Sequence, residues 1–540
     1  LSTSRSNPLT NTAGVTFGSG EETLSSLQDI CAREGPISIS IDGRAVRDAP
    51  GPKGLPFIGN FFDVYPDHLG NHQRLFEHYG QTIKTESIGR VTYLTNDPTT
   101  AAIVFAESDF FTKLINKNHP LYPIKNKQAG VFLGDTDTEE WRVAHKFLPP
   151  ALGPKAVRHY APTMQKTVEQ AFNVFDEFDG KGQAWNVYQY MLKLGSQAVG
   201  ELVLGMDFNH FSSPNTYPHE VVRIIAETLE LNKKISSRGD WYAKLPFGDP
   251  KRLQVLANRM MDLIGESIAK AESSGSHDLP LQEAALEASN MIGKYFVQVQ
   301  FPSIAILTSR ADYAVRATDS KGEKLPRTSL VEALVVATGA GFTTTSSLLS
   351  WLIYGLVTYP GMQERLLQEL IDHGIDETTQ FTADVTENLP FLDKYIKETQ
   401  RRHNPSFQPG RTAKTDLILP GGYKIPKDAV VIPAIHHIHN NPNLWDNPNS
   451  FNPDRWDTEQ VKNRHKSAYI PFATGQRMCI GFNFALMEAK IFLSKLVYRY
   501  KFSPEEVGTT EYDPMFQLIR PVNLYVRAER RVKWPPRSDA

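Results

Sequence analysis

Apolar residues recur along most of the chain at helical spacing. Between positions 482 and 500, Phe484, Ala485, Leu486, Ala489, Phe492, Leu493 and Leu496 mark the stripe of a helix packed into a core. Val331 to Leu356 is apolar almost all round, which predicts a buried central helix. Tyr188 to Leu204 and His219 to Lys233 carry further long helical patterns. Strand signals are few: Ile83 to Leu94 gives two short runs meeting near Gly89, and Pro98 then opens a helix. The pattern is mainly α with small β-sheets.

Two stretches break the pattern. Residues 1–49 are rich in Ser, Thr, Gly and Asn, with one amphipathic piece from Leu24 to Ile30, and read as a flexible extension. Residues 279–310 hold an insertion in which Phe296, Val297, Val299 and Phe301 are apolar and partly alternating. Pro50 to Asn60, PGPKGLPFIGN, is a stiff, irregular entry to the helical part of the chain. Average size alone would suggest about three or four domains in a chain this long, yet no repeat or low-complexity linker divides residues 50–540.

Composition narrows the function. The chain has 540 residues, 40% hydrophobic and 22% charged, and a formal net charge of -2, which argues against general nucleic-acid binding. Its two cysteines, Cys31 and Cys479, lie far apart, so a reducing compartment is expected rather than a disulfide framework. No run of eighteen apolar residues stands out, and no transmembrane segment is expected.

Candidate chemistry centres on Cys479. It lies in a Gly-containing loop at the start of the 482–500 helix, where backbone N–H groups and the helix dipole favour a thiolate. A lone cysteine is more often an inert core residue, and sometimes a nucleophile. Its neighbours change the reading. Phe472, Gly475, Arg477, Cys479 and Gly481 spell F-x-x-G-x-R-x-C-x-G, which resembles the haem-binding signature of the cytochrome P-450 family.

That resemblance implies one large, mostly helical domain over residues 50–540, with a haem sandwiched between a distal central helix and the cysteine-loop helix and the Cys479 thiolate as iron ligand to haem b. It extends to four ordered motifs. In EEWRVAHKF, Trp141 and His145 share a helix face, which alone suggests packing; in the family they reach a haem propionate, as does Arg411. In ATGAGFTTT, Ala340 lines the cavity and Thr344 aligns with the threonine that organises proton delivery to oxygen. Thr343 stands where the family usually has an acid. Glu398 and Arg401, three apart on one helix, with Arg455 of FNPDRW, match the family's buried lock on the cysteine loop.

For substrate, GRVTYL resembles the channel mouth of fatty-acid hydroxylases, marking Arg90 and Tyr93 as holders of an acidic group. An ordinary strand arginine beside a packed tyrosine is the competing reading. Phe407 and Phe516 fall in loops that line the family's substrate cavity. Lys462, Arg464 and Lys466 offer a basic patch for a redox partner, or a plain solvated cluster.

The expectation is a haem-thiolate monooxygenase closest to the fatty-acid-hydroxylase-like branch found in reductase fusions. It would act with O2 on a hydrophobic small molecule, fatty-acid-like or a secondary metabolite, and draw electrons from NADPH through a flavoprotein reductase, separate or fused beyond the chain's end. A monomer in the cytoplasm, or on the cytosolic face of the endoplasmic reticulum, is expected, and an anchor upstream of Leu1 stays open. The alternatives are a haem-thiolate isomerase or dehydratase acting without reductase, suggested by Thr343, a non-catalytic haem sensor, and a cysteine hydrolase.

Overall fold

The computed structural model describes residues 37–38, 43–125, 134–272, 278–280, 283–285, 313–406, 409–505, 510–514 and 518–538. Cys31, most of the N-terminal extension and most of the 279–310 insertion lie outside them. So do Phe407 and Phe516.

Several helices start where polar side chains satisfy their first N–H groups. Asp67 accepts from Gly70 N–H at 3.0 Å to begin α1 (His68–Tyr79), and Asp97 accepts from Thr100 N–H at 2.7 Å to begin α2 (Pro98–Phe105), with Pro98 inside the first turn. Thr138 caps α3 (Glu139–Phe147). Then come α4 (Pro154–Gly180), α5 (Val187–Val203, capped by Asn186), α6 (Glu220–Arg238, capped by His219) and α7 (Gly248–Glu272). The centre is α8 (Arg327–Thr358), succeeded by α9 (Met362–Asp372), α10 (Pro390–Arg402), α11 (Ile435–His439) and α12 (Phe482–Arg499).

Of the described residues, only α8 is long and apolar enough to cross a membrane, and 61% of its apolar window is buried inside the fold. Leu348, Leu349, Leu352 and Ile353 are almost wholly buried, each burial stabilising by roughly 1.5–3 kcal/mol. α5 packs along α8, and α12 packs against α4 and α8, giving one large apolar cluster. Small residues allow the close approach: a methyl on Gly341 would sit 3.2 Å from Val199 of α5, and one on Gly339 would sit 3.7 Å from Ile225 of α6.

The main sheet has the order β1-β2-β5-β4-β3, formed by β1 (Thr82–Ser87), β2 (Arg90–Thr95), β3 (Phe111–Thr112), β4 (Arg411–Ala413) and β5 (Val430–Pro433). β1 and β2 are an antiparallel hairpin turning at Ile88 and Gly89, both at positive φ. β2 runs parallel to β5, and β3 pairs antiparallel with β4 in the register Thr112↔Thr412. A second hairpin, β6 (Glu511–Tyr512) with β7 (Pro521–Val522), reaches α1 through a hydrogen bond from Gly70 N–H to the Tyr512 hydroxyl at 3.4 Å.

Candidate active site

The loop before α12 is folded on itself. Cys479 N–H donates to Phe472 O at 2.9 Å and Met478 N–H donates to Gly475 O at 3.1 Å; Gly481 is the N-cap of α12. The Phe472 ring packs on that of Phe482, with centroids 6.1 Å apart. Cys479 is an exposed free thiol, yet protein surrounds it closely enough for desolvation to push its pKa up, against a lowering hydrogen bond from the Gly481 N–H. Accessible surface on a desolvated group marks a side chain that faces an internal recess. A bound cation reverses that penalty, because a thiolate is the form a metal takes.

Arg477 links the loop to α3. Its Nη2 donates to Gly134 O at 2.9 Å, and its guanidinium lies 4.6 Å over the Trp141 ring. The Trp141 and His145 rings are 4.6 Å apart, the shared helix face that the spacing suggested, and Arg477 joins them. Burial, then the Arg477 charge, lowers the His145 pKa.

Arg411 is buried, paired with Glu107 at 2.8 Å and set over the Phe105 ring at 5.0 Å. Between the two arginines comes Lys113, which sequence reading missed. Its pKa falls well below the lysine range through burial, then Arg477 and Arg411. Arg477 is brought down to about 10 by burial and then by Arg411. Only the β3–β4 pairing carries Lys113 to Arg411, from positions some 300 apart in sequence, and no local pattern announces it. Lys113, Arg411 and Arg477, answered by Glu107 and Asp135, form a cationic donor set suited to a group with two carboxylates. The residues therefore fit a haem: a sulfur ligand on one side and a cationic cradle for its propionates.

On α8, Ala340 is exposed in the middle of an otherwise packed helix, and Thr344 is half-buried. Thr344 Oγ1 donates to Ala340 O at 2.9 Å, and the buried Thr343 donates to Gly339 O at 2.7 Å. Such back-bonds loosen a helix ladder locally. Thr343 turns inward, so Thr344 is the threonine with reachable surface.

The expected lock is assembled. Glu398 Oε1 accepts from Arg401 Nη2 at 2.9 Å, Arg455 Nε at 3.0 Å and Asn452 N–H at 2.9 Å, while Oε2 accepts from Arg401 Nε at 2.9 Å. Arg401 also donates to the carbonyls of His439, Pro448 and Ser450 at 2.9–3.1 Å. All three charged groups are buried.

The structure does not bring Arg90 and Tyr93 together. Three residues apart on β2, they point to opposite faces. Arg90 is buried against α6, donating to Ser236 O at 3.1 Å and pairing with Asp240. Tyr93 packs with Val104, Phe111 and Val431. The basic patch is also thinner than its sequence suggests. Arg464 stacks 3.5 Å over Trp445, with burial lowering its pKa to about 10, and Lys462 pairs with Glu459 at 2.8 Å.

A folded cysteine loop facing a recess, a propionate-type cradle and a central helix with a threonine break define a haem-thiolate protein. The profile of the family described as Cytochrome P450 matches residues 49–526. The cytochrome P450 monooxygenase alnD of Emericella nidulans is 47% identical over 97% of this chain and 92% of its own length. The bifunctional cytochrome P450/NADPH–P450 reductase ascE of Acremonium egyptiacum is 26% identical over 89% of this chain and 43% of its own length. In fold, the haem domain of cytochrome P450DA superposes with a TM-score of 0.76 at 23% identity, covering 90% of this chain and 98% of that one. The chain belongs to the cytochrome P450 family. It is a haem-binding P450 monooxygenase.

Proposed function

We propose that this monooxygenase hydroxylates an unactivated C–H bond of a hydrophobic small molecule, fatty-acid-like or a secondary metabolite, using electrons from NADPH delivered by a flavoprotein. The observation that carries the reading is Cys479: accessible, desolvated and held by a folded loop at a helix start. The reductase half in the name of the ascE relative supports a flavoprotein donor.

In this reading Cys479 Sγ would hold the haem iron, and Trp141, His145, Arg411, Arg477 and Lys113 would hold the propionates. Bound there, haem supplies the activation of O2 and the insertion of one oxygen atom. The chain's own part is to position and to exclude water. Phe472 fixes the loop through its carbonyl, which accepts from Cys479 N–H, and the Glu398–Arg401–Arg455 network fixes the approach of the loop. Thr344 Oγ1 gives its hydrogen to Ala340 O, which leaves its lone pairs to accept from water or a proton donor on the distal side. The Thr343 hydroxyl cannot supply protons as an acid would, so solvent ordered at Thr344 is the donor.

The test is reconstitution with a flavoprotein NADPH reductase and a panel of fatty acids and aromatic polyketides, with product followed by mass spectrometry under 18O2. One labelled oxygen in the product, dependent on NADPH, is expected. Unlabelled product, or turnover without NADPH and O2, would overturn the proposal and favour isomerase or dehydratase chemistry.

A further inference from the structure

A buried donor stands unused beside the cationic cradle. His119 lies in the loop that leaves β3, and that loop is tied down by Asn116 and Asn118, whose side-chain amides donate to Asp428 O at 2.8 and 3.3 Å. The His119 ring is 4% exposed, and Leu121 N–H donates to its Nδ1 at 3.1 Å. Burial, then Lys113 and Arg411, lowers its pKa to about 3, so the ring is neutral. A neutral imidazole carries one proton, and with Nδ1 accepting, that proton is on Nε2. Nε2 has no hydrogen-bond partner among the described residues. A buried N–H without an acceptor is costly to a fold.

We propose that His119 Nε2–H donates to a haem propionate, which adds to the cradle a neutral donor from a loop that no short motif marks. This rests on the haem-thiolate reading of Cys479.

The surroundings select an anionic acceptor. The charges that act on the ring are, in order, Lys113, Arg411, Lys125 and Arg90. Glu107 answers Arg411, Asp135 answers Lys125 and Asp240 answers Arg90, while Glu107 and Asp135 also bear on Lys113. Four cations thus share three carboxylates, and the excess positive charge favours an anion there. An uncharged N–H set among cations can satisfy an oxygen lone pair without adding to their mutual repulsion.

Gly410 joins the histidine to the cradle. A Cβ on Gly410 would come 3.1 Å from His119 Nε2 and 3.1 Å from Val430, so the absent side chain keeps the space beside the donor open. Gly410 is the residue before Arg411, and Arg411 Nη1 donates back to Gly410 O at 3.0 Å. The imidazole and the guanidinium therefore meet at one glycine, one bringing a neutral donor and the other a charged fork suited to a carboxylate.

The test uses the haem-loaded enzyme as wild type, His119→Gln, His119→Leu and His119→Phe. The first substitution keeps an N–H donor, the second removes it, and the third removes it while keeping a flat ring. The reduced carbon monoxide spectrum of each preparation reports the thiolate ligand, so failure of the haem-thiolate reading is seen separately. Resonance Raman spectra then give the propionate-bending and vinyl-bending bands of the haem. The propionate band should move several wavenumbers to lower frequency in His119→Leu and His119→Phe and stay in place in His119→Gln, with the vinyl band unmoved in all three. Haem should pass to excess apomyoglobin about fivefold faster from His119→Leu and His119→Phe than from wild type, and within about twofold of wild type from His119→Gln. A propionate band unmoved in both donor-free variants, propionate and vinyl bands that shift together, or haem loss from His119→Gln as fast as from the other two would overturn the proposal.

Discussion

Gly475 lies against the carbonyl of Phe105 so closely that a β-carbon on it would overlap the oxygen, and its φ of 78° is a left-handed value. The end of α2 and the cysteine loop are therefore fitted to each other by backbone, with no side chain between them. Gly475→Ala must move one of the two. Haem content, read as the Soret-to-protein absorbance ratio, should fall at least severalfold, and unchanged loading would show that the contact is slack.

The lock predicts a larger and purely structural effect. Removing one member leaves a buried charge without its partner, at about 3–5 kcal/mol. Glu398→Gln and Arg455→Met should each lower the thermal midpoint by many degrees and shed haem on heating. Because both act through Glu398 Oε1, the double variant should cost clearly less than the sum of the singles.

Thr344 is predicted to govern coupling rather than binding. Thr344→Ala should keep NADPH oxidation within a few-fold of wild type while product per NADPH drops about tenfold, with peroxide making up the difference. Thr344→Ser, which keeps the hydroxyl, should restore most of the yield. Equal coupling in all three would remove the residue from proton handling.

Glu488 gives a pH signature. It is fully buried on α12, and neither carboxyl oxygen has a hydrogen-bond partner among the described residues. Burial raises its pKa well above the ordinary 4.5. The folded state therefore holds this proton more tightly than the unfolded state does. Its contribution is most favourable at or below about pH 4.5 and declines as pH rises toward the folded value. Glu488→Gln should remove that decline, gaining more stability relative to wild type at pH 8 than at pH 5 in urea unfolding.

Much of this was legible from sequence because the informative residues are local. The cysteine loop, the Trp141–His145 face and the Glu398–Arg401 pair each fall within ten residues, and helical spacing or a short motif suffices to see them. Helix starts were also legible: Pro98 opens α2, and the pattern beginning at His219 meets α6, which starts one residue later. What escaped depends on distant segments. Lys113 reaches Arg411 only through strand pairing, and His119 meets Gly410 only because Asn116 and Asn118 tie its loop to Asp428. The expected Arg90–Tyr93 clamp failed on strand alternation, which the spacing of three already contained. Arg464 read as a surface charge because nothing local reveals that Trp445 lies beneath it.

The seat of α6 on Gly339 also constrains redesign. A methyl there would meet Ile225 at 3.7 Å, an ordinary contact, and a side chain larger than alanine would press on it. Variants meant to admit bulkier ligands are better sought at Ala340, whose surface supports no neighbouring helix. Changes larger than alanine at position 339 would disturb the seat of α6 on α8 instead.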